Sequence, residues 1–306
     1  MIPGVGGSSS ILADLLEIPI LVRRFEKTHA QLLADALREG SPTLMVVGEG
    51  SARIFPGGRA FFRSLWEAGS RGVHVVGCRE VSICSCSGLA VLLLVGQTSP
   101  VEMDELRAHL ARIDDLPVIL APLIPESSPI GTRSVVAHAL LVDAAFDAIQ
   151  GDYVVTGRPE LELLASEIEH NLSLPVPTEV VDALAAAETI WFCGSLDGVA
   201  EELALKGCEM TGKRSVFAEG SRLLYGAGAA VRRGDAIVLV EPNRSDVARF
   251  VQLGTGVGAT ILAIAGSPIP GSQSVAYAGG GAGTVQYLQL VRGWRILVQL
   301  AQLMGK

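Results

Sequence analysis

Two series of short apolar runs alternate with helical patterns along this chain, and that rhythm constrains its fold more than any other feature. LMVVGEGSA (44–52), VHVVGC (73–78), LAVLLLVGQTS (89–99) and LPVILAP (116–122) form the first series. TIWFCGS (189–195), RSVFAEG (214–220), DAIVLVEPN (235–243) and ATILAIAG (259–266) form the second. Short β-rich runs without polar alternation belong to strands covered on both faces, and helical stretches between them make the crossovers of a parallel sheet. The helical stretches include 59–69 and 100–113 in the first series and 199–210, 244–254 and 284–305 in the second. The prediction is an α/β chain of two three-layer α/β/α subdomains with mainly parallel sheets, related as a tandem pseudo-duplication. Its expected parts are N-terminal helices over 1–40, a first α/β domain over 41–155, a helical connector over 156–185 and a second α/β domain over 186–306.

A chain of 306 residues, 49% hydrophobic and 18% charged, can bury a core for each domain. The net charge of −8 opposes general nucleic-acid binding, which needs a basic face to displace counterions from phosphates. The opening MIPGVGGSSS has no basic segment ahead of an apolar core, and GLAVLLLVG (88–96) is too short to span a bilayer. Five cysteines form no Cys/His cluster at metal-ligand spacing, so reduced core thiols are expected. Together these features predict a cytoplasmic protein with no membrane partner and no structural metal.

The residues that could carry chemistry collect where strands end. VGEGS (47–51) and CGSLDG (193–198) each close a strand with a Gly/Ser turn ahead of a helix, where N–H groups and hydroxyls can meet an anion. Ser51, Ser195 and Asp197, taken singly, also read as ordinary N-caps. Gln97, Thr98 and Ser99 follow a buried strand and precede a helix, the place where open α/β sheets bind ligands, though a capped loop reads equally well. In EELALKGCEM (201–210), Lys206 and Glu209 are three apart and share a helix face, against the alternative of a surface ion pair. His138, Trp191 and Trp294 lie in apolar runs and read as core. GGGAG (279–283) could approach a phosphate or serve as a connector before the last helix.

These stretches resemble the tandem sugar isomerase (SIS) domain family, which includes the isomerase half of glucosamine-6-phosphate synthase and stand-alone phosphosugar isomerases and deaminases. VVGEGSARIFPGG is similar to the family's opening Gly-x-Gly-Ser, VGQTS to its Ser-Gln-Ser-Gly phosphate loop, EELALKGCEM to its A-L-K-x-x-E helix, and FAEG to the Ala-Glu of its next strand. The resemblance covers nearly the whole chain. It implies that Ser51, Gln97, Thr98 and Ser99 hold the phosphate and that Thr132 lines the sugar, with Ser195 and Glu219 completing the substrate contacts. Glu209 would move a proton between C1 and C2, accompanied by Lys206. Carboxylate and cation suit an aldose-ketose interconversion, which needs a base beside a carbon acid and compensation for an enediolate oxygen.

Three departures accompany the match. Gly96 replaces a hydroxyl residue, Pro100 and Val101 replace a Glu-Thr pair, and Tyr225 stands where the family pattern LKHG has a histidine. The implied function is a cofactor-free phosphosugar isomerase or amino-sugar-phosphate isomerase/deaminase acting on a small sugar phosphate, as a homodimer and with no glutamine-hydrolysing domain ahead of it. The alternative is a catalytically weakened phosphosugar-binding sensor or regulatory protein. A third reading, a nucleotide-dependent oxidoreductase, is poorer because VGEGSARIFPG lacks the third glycine of the dinucleotide fingerprint.

Overall fold

The structure, a computed structural model, describes residues 7–39, 43–66, 72–78, 80–81, 89–93, 100–110, 112, 116–152, 154–281 and 283–306. The chain divides into two compact units. One comprises Ile20–Glu126 and Gly131–Leu163; the other comprises Met1–Pro19, Ser127–Ile130 and Leu164–Lys306. Both are built as three-layer α/β/α arrangements on parallel sheets. Helix α1 (Ser8–Arg23) begins in the second of these units and ends in the first, and helix α6 (Arg158–Ser173) spans the later boundary.

The four-stranded unit carries β1 (Thr43–Val47), β2 (Gly72–Val76), β3 (Leu89–Leu93) and β4 (Val118–Leu120) in the order β2-β1-β3-β4, every pair parallel. Alternation along β1 shows why the strand is apolar throughout. Leu44 and Val46 join a core with α2 (Thr28–Glu39), α3 (Ser51–Trp66) and α5 (Arg133–Gln150), while Met45 and Val47 pack on the opposite face with Leu106 and Leu110 of α4 (Pro100–Leu110). Each face is covered, so each position is apolar. Helix α3 begins eight residues before the predicted stretch and runs through Pro56, Gly57 and Gly58. Gly57 has a packing reason, since a Cβ there would meet Val75 Cγ1 of β2 at 2.6 Å.

The five-stranded unit carries β5 (Thr189–Gly194), β6 (Arg214–Glu219), β7 (Ala236–Val240), β8 (Thr260–Ala265) and β9 (Gln273–Ala276) in the order β6-β5-β7-β8-β9, again all parallel. Its first four strands therefore follow the same order as the other sheet. Trp191, Cys193, Ile237, Leu239 and Ala263 pack with α9 (Gly220–Tyr225) and α10 (Val247–Val257). Phe192, Val238, Leu262 and Ile264 point the other way, toward Val180 and Leu184 of α7 (Thr178–Ala186) and Ile296 and Leu297 of α11 (Val285–Leu303). Helix α8 (Val199–Thr211) joins α11 in that layer, and Gly293 makes their close approach possible, because a Cβ there would overlap Leu203. Trp294 is fully buried, as its apolar surroundings predict.

Candidate functional site

Helix α8 brings three charged side chains of the five-stranded unit together. The chain leaves β5 at Gly194, turns through Asp197, whose Oδ1 accepts the Val199 amide at 3.1 Å, and enters the helix through Gly198 at φ 87°. A left-handed residue is required at that N-cap and again at the C-cap, Gly212, at φ 70°. Between these ends, Lys206 is 1% exposed, and its Nζ lies 2.6 Å from Glu209 Oε2 and 3.6 Å from Glu202 Oε1. The Glu202 side chain is fully buried, whereas that of Glu209 is 37% exposed. The surface-pair alternative for Lys206 is therefore excluded: this ammonium sits inside the protein between two carboxylates, one sealed and one reaching the surface. Glu202 escaped the sequence reading, although it lies four residues before Lys206 on the same helical stripe as Glu209, the spacing that brings side chains together.

Around the carboxyl edge of the same sheet lie the other candidates. Ser195 is exposed just beyond β5. Glu219 ends β6 and caps α9, accepting the Ser221 and Arg222 amides at 3.1 Å each and the Ser221 hydroxyl. The Ser221 hydroxyl bond holds its carboxyl below the ordinary range, helped by the two amides and the Arg222 charge. Burial pushes the neighbouring Cys193 thiol up to about 12, with the Glu219 charge adding to the effect, so this cysteine is an inert core thiol at neutral pH. Tyr225 is 76% exposed; its hydroxyl accepts from Arg249 Nη1 at 3.0 Å, and the Arg249 guanidinium lies 4.7 Å from its ring centroid. Among the described residues Tyr225 thus pairs with Arg249, while Lys206 pairs with Glu209 and Glu202.

In the four-stranded unit, Gln97, Thr98 and Ser99 lie outside the described residues. Ser51 opens α3 behind Gly50, at the exit of β1 and beside β3, where the strand order reverses. Glu49 Oε1 accepts the Cys78 amide at 2.7 Å, which ties the exits of β1 and β2 together, and Glu80 Oε2 accepts the Gly77 amide at 2.8 Å within the β2 exit. Thr132 is fully buried at the start of α5, and its Oγ1 has no hydrogen-bond partner among the described residues. The amides there are already served: Glu126 accepts those of Thr132, Arg133 and Ser134 at 3.1, 3.3 and 2.8 Å. Burial raises the Glu126 carboxyl above its ordinary value against these opposing hydrogen bonds.

Two further segments resolve as structure. His138 is fully buried, with Nε2 3.1 Å from the Pro122 carbonyl, and burial lowers its proton affinity. In the glycine-rich loop before α11, Gly280 N donates to Glu167 Oε1 at 3.0 Å and Gly281 N donates to Thr284 Oγ1 at 3.0 Å. These amides serve side chains of the protein itself. No group of three or more His, Cys, Asp and Glu among the described residues could hold a metal ion, and no described helix is long and apolar enough to cross a membrane.

No protein-family model matches the chain, and no curated protein sequence matches it. Solved structures do. The C-terminal domain of glucosamine-fructose-6-phosphate aminotransferase from Francisella tularensis superposes with a TM-score of 0.73 at 14% identity, over 97% of this chain and 96% of that one. Glucosamine-6-phosphate deaminase from Thermotoga maritima gives 0.68 at 19% identity, over 97% and 95%. Tagatose-6-phosphate ketose/aldose isomerase from Escherichia coli gives 0.66 at 15% identity, over 98% and 91%. At such identities the likeness speaks for the fold, and it extends over nearly the full length of each chain: this protein shares the α/β/α architecture of those sugar-phosphate proteins.

Proposed function

We propose that the chain is a phosphosugar isomerase, or an amino-sugar-phosphate isomerase/deaminase, and that its two sheets descend from a tandem duplication of one SIS-type domain. The observation that carries the reading is the buried ammonium of Lys206, held at 2.6 Å by a carboxylate that still reaches the surface. A sealed ion pair adds little to stability, because desolvating the charges offsets their attraction. On α8 the buried charge is placed where a carboxylate open to the surface can use it. Glu209 supplies the base: its carboxylate takes the proton from C2 of an open-chain aldose phosphate and returns it to C1 while the O2 hydroxyl proton passes to O1, leaving the ketose. Lys206 compensates the negative charge that develops on the enediolate oxygens, and sealed Glu202 keeps that ammonium in place. Sugar-phosphate chemistry in the names of the structural neighbours supports the same assignment.

Ser51, at the carboxyl edge where the four-stranded sheet reverses order, is assigned to the phosphate together with Gln97, Thr98 and Ser99, which lie outside the described residues. Thr132, whose buried hydroxyl lacks a protein partner, is assigned to the sugar. A second reading, a phosphosugar-binding sensor, draws support from Tyr225, which faces solvent with Arg249. Turnover separates the two. Hexose and hexosamine 6-phosphates incubated with the wild type and with Lys206→Met should give aldose-ketose conversion or ammonia release only with the wild type. Saturable binding without conversion of any member assigns the chain to the sensor class.

A further inference from the structure

The order of the five-stranded sheet reverses between β5 and β7, and in open parallel sheets the carboxyl edge at such a reversal forms a crevice that takes ligands. Cys193 pairs with Leu239 across these strands, so Ser195 and Glu241 leave them side by side, two residues further on. The exit is tight. A Cβ on Gly194 would stand 2.8 Å from Ala200 Cβ and 3.3 Å from Val240 Cβ, which brings the start of α8 against the end of β7.

Glu241 is the only non-glycine residue with positive φ among the described residues, at 39°. Such a conformation is costly and persists only where neighbours enforce it. Its amide donates to the Ile264 carbonyl at 2.9 Å, and its Oε2 accepts the Gly266 amide at 3.0 Å and the Tyr277 hydroxyl at 2.7 Å. Buried Gln289 in turn donates to that hydroxyl at 3.4 Å. Both side-chain bonds end on Oε2, which keeps the acceptor capacity of Oε1 at an exposed residue. Beside it stand the exposed Ser195 and Leu196, the latter 54% exposed and able to cover the C–H face of a sugar ring.

We propose that this crevice binds an uncharged polyhydroxyl ligand, with Glu241 Oε1 and Ser195 Oγ as contacts to vicinal hydroxyls. A fixed carboxylate acceptor selects a ligand that brings donors and repels phosphate. Ser195, which the family resemblance gives to the phosphosugar, is assigned here to the polyol instead, and the site is separate from the chemistry proposed for α8: Lys206 lies seven residues beyond Val199, roughly 10 Å along the helix. Glu241→Gln would keep its oxygen for Gly266 and Tyr277 and turn a nitrogen that cannot accept toward the ligand.

The test is titration of the 15N-labelled full chain with D-glucitol and with D-glucose, following amide shifts. In the wild type the shifts should centre on Gly194–Asp197 and Gly266. Affinity should fall about tenfold in Glu241→Gln, the worth of one hydrogen bond to a charged group. It should fall in Ser195→Ala as well, which retains the backbone should Glu241→Gln fold poorly. Glu209→Gln should bind as the wild type does, and inorganic phosphate should leave these amides unmoved. Absence of shifts with both polyols, shifts retained in both crevice variants, or phosphate moving the same amides would overturn the proposal. Loss of the isomerase reading shows elsewhere, in turnover, with polyol binding intact.

Discussion

Two buried charge clusters, one in each unit, are closed in different ways. In the four-stranded unit, Arg59 donates to both oxygens of Asp143, at 3.1 and 2.9 Å, and Arg63 donates to Asp147 at 2.8 Å. The other Asp147 oxygen takes the Val155 and Thr156 amides and the Thr156 hydroxyl at 3.1, 2.8 and 2.8 Å. Arg59, Asp143 and Asp147 are wholly buried, and the partners lie on two helices, 84 residues apart in sequence. In the five-stranded unit, Glu202, Lys206 and Glu209 lie on one helix, and the last carboxylate is 37% exposed. The first cluster is closed and joins α3 to α5; the second opens at one end, through Glu209. The difference teaches that burial of charge alone does not mark a site; the proposal for α8 rests on the one carboxylate that opens to the surface.

The comparison breaks most visibly at Asp143. Asp143→Ala removes the carboxylate that takes two bonds from the sealed Arg59 guanidinium and should cost about 3–5 kcal/mol in urea unfolding. A loss below about 1 kcal/mol would remove the structural role assigned to the clamp. On α8 the paired change Glu202→Leu with Lys206→Met takes both sealed charges out together. Replacement of a buried ion pair by apolar side chains of similar size is neutral or stabilising by about 1–4 kcal/mol, so this variant should unfold no earlier than the wild type while losing turnover. Strong destabilisation would make α8 a second architectural clamp.

The smallest effect belongs to the Glu219 cap. Because its carboxyl is held below the ordinary value, its contribution is fully present above about pH 4.5 and disappears as the pH falls through the depressed folded value. Glu219→Gln should therefore differ from the wild type by about 0.5–1 kcal/mol at neutral pH, and the gap should close on acidification. A gap that widens in acid contradicts the sign.

The strand-helix rhythm was legible because both faces of both sheets are covered, which makes runs such as TLMVV and AIVLV apolar at nearly every position. Strand β9 was missed: QSVA is short and half polar, and it gains its place from pairing with β8. The start of α3 was missed because Pro56, Gly57 and Gly58 read as a break, whereas Gly57 answers to Val75 from another strand. The clamp was invisible locally, although its signal existed: Arg59 and Arg63 are four apart, as are Asp143 and Asp147, and the two pairs match rung for rung. Lys206 with Glu209 was legible from helical spacing alone. Glu202 was not, because two adjacent acids in the first turn of α8 read as complements to the helix dipole. Glu241 was illegible, since its φ is set by neighbours on β8 and β9.

Proton exchange at C2 tests the central claim most directly. Hexose and hexosamine 6-phosphates would be incubated in deuterated buffer with the wild type and with Glu209→Gln, and the C2 proton followed by NMR. Exchange with the wild type on at least one substrate, abolished in Glu209→Gln while the variant stays folded, is the predicted result. Binding without exchange across the panel, or exchange that survives Glu209→Gln, would contradict it.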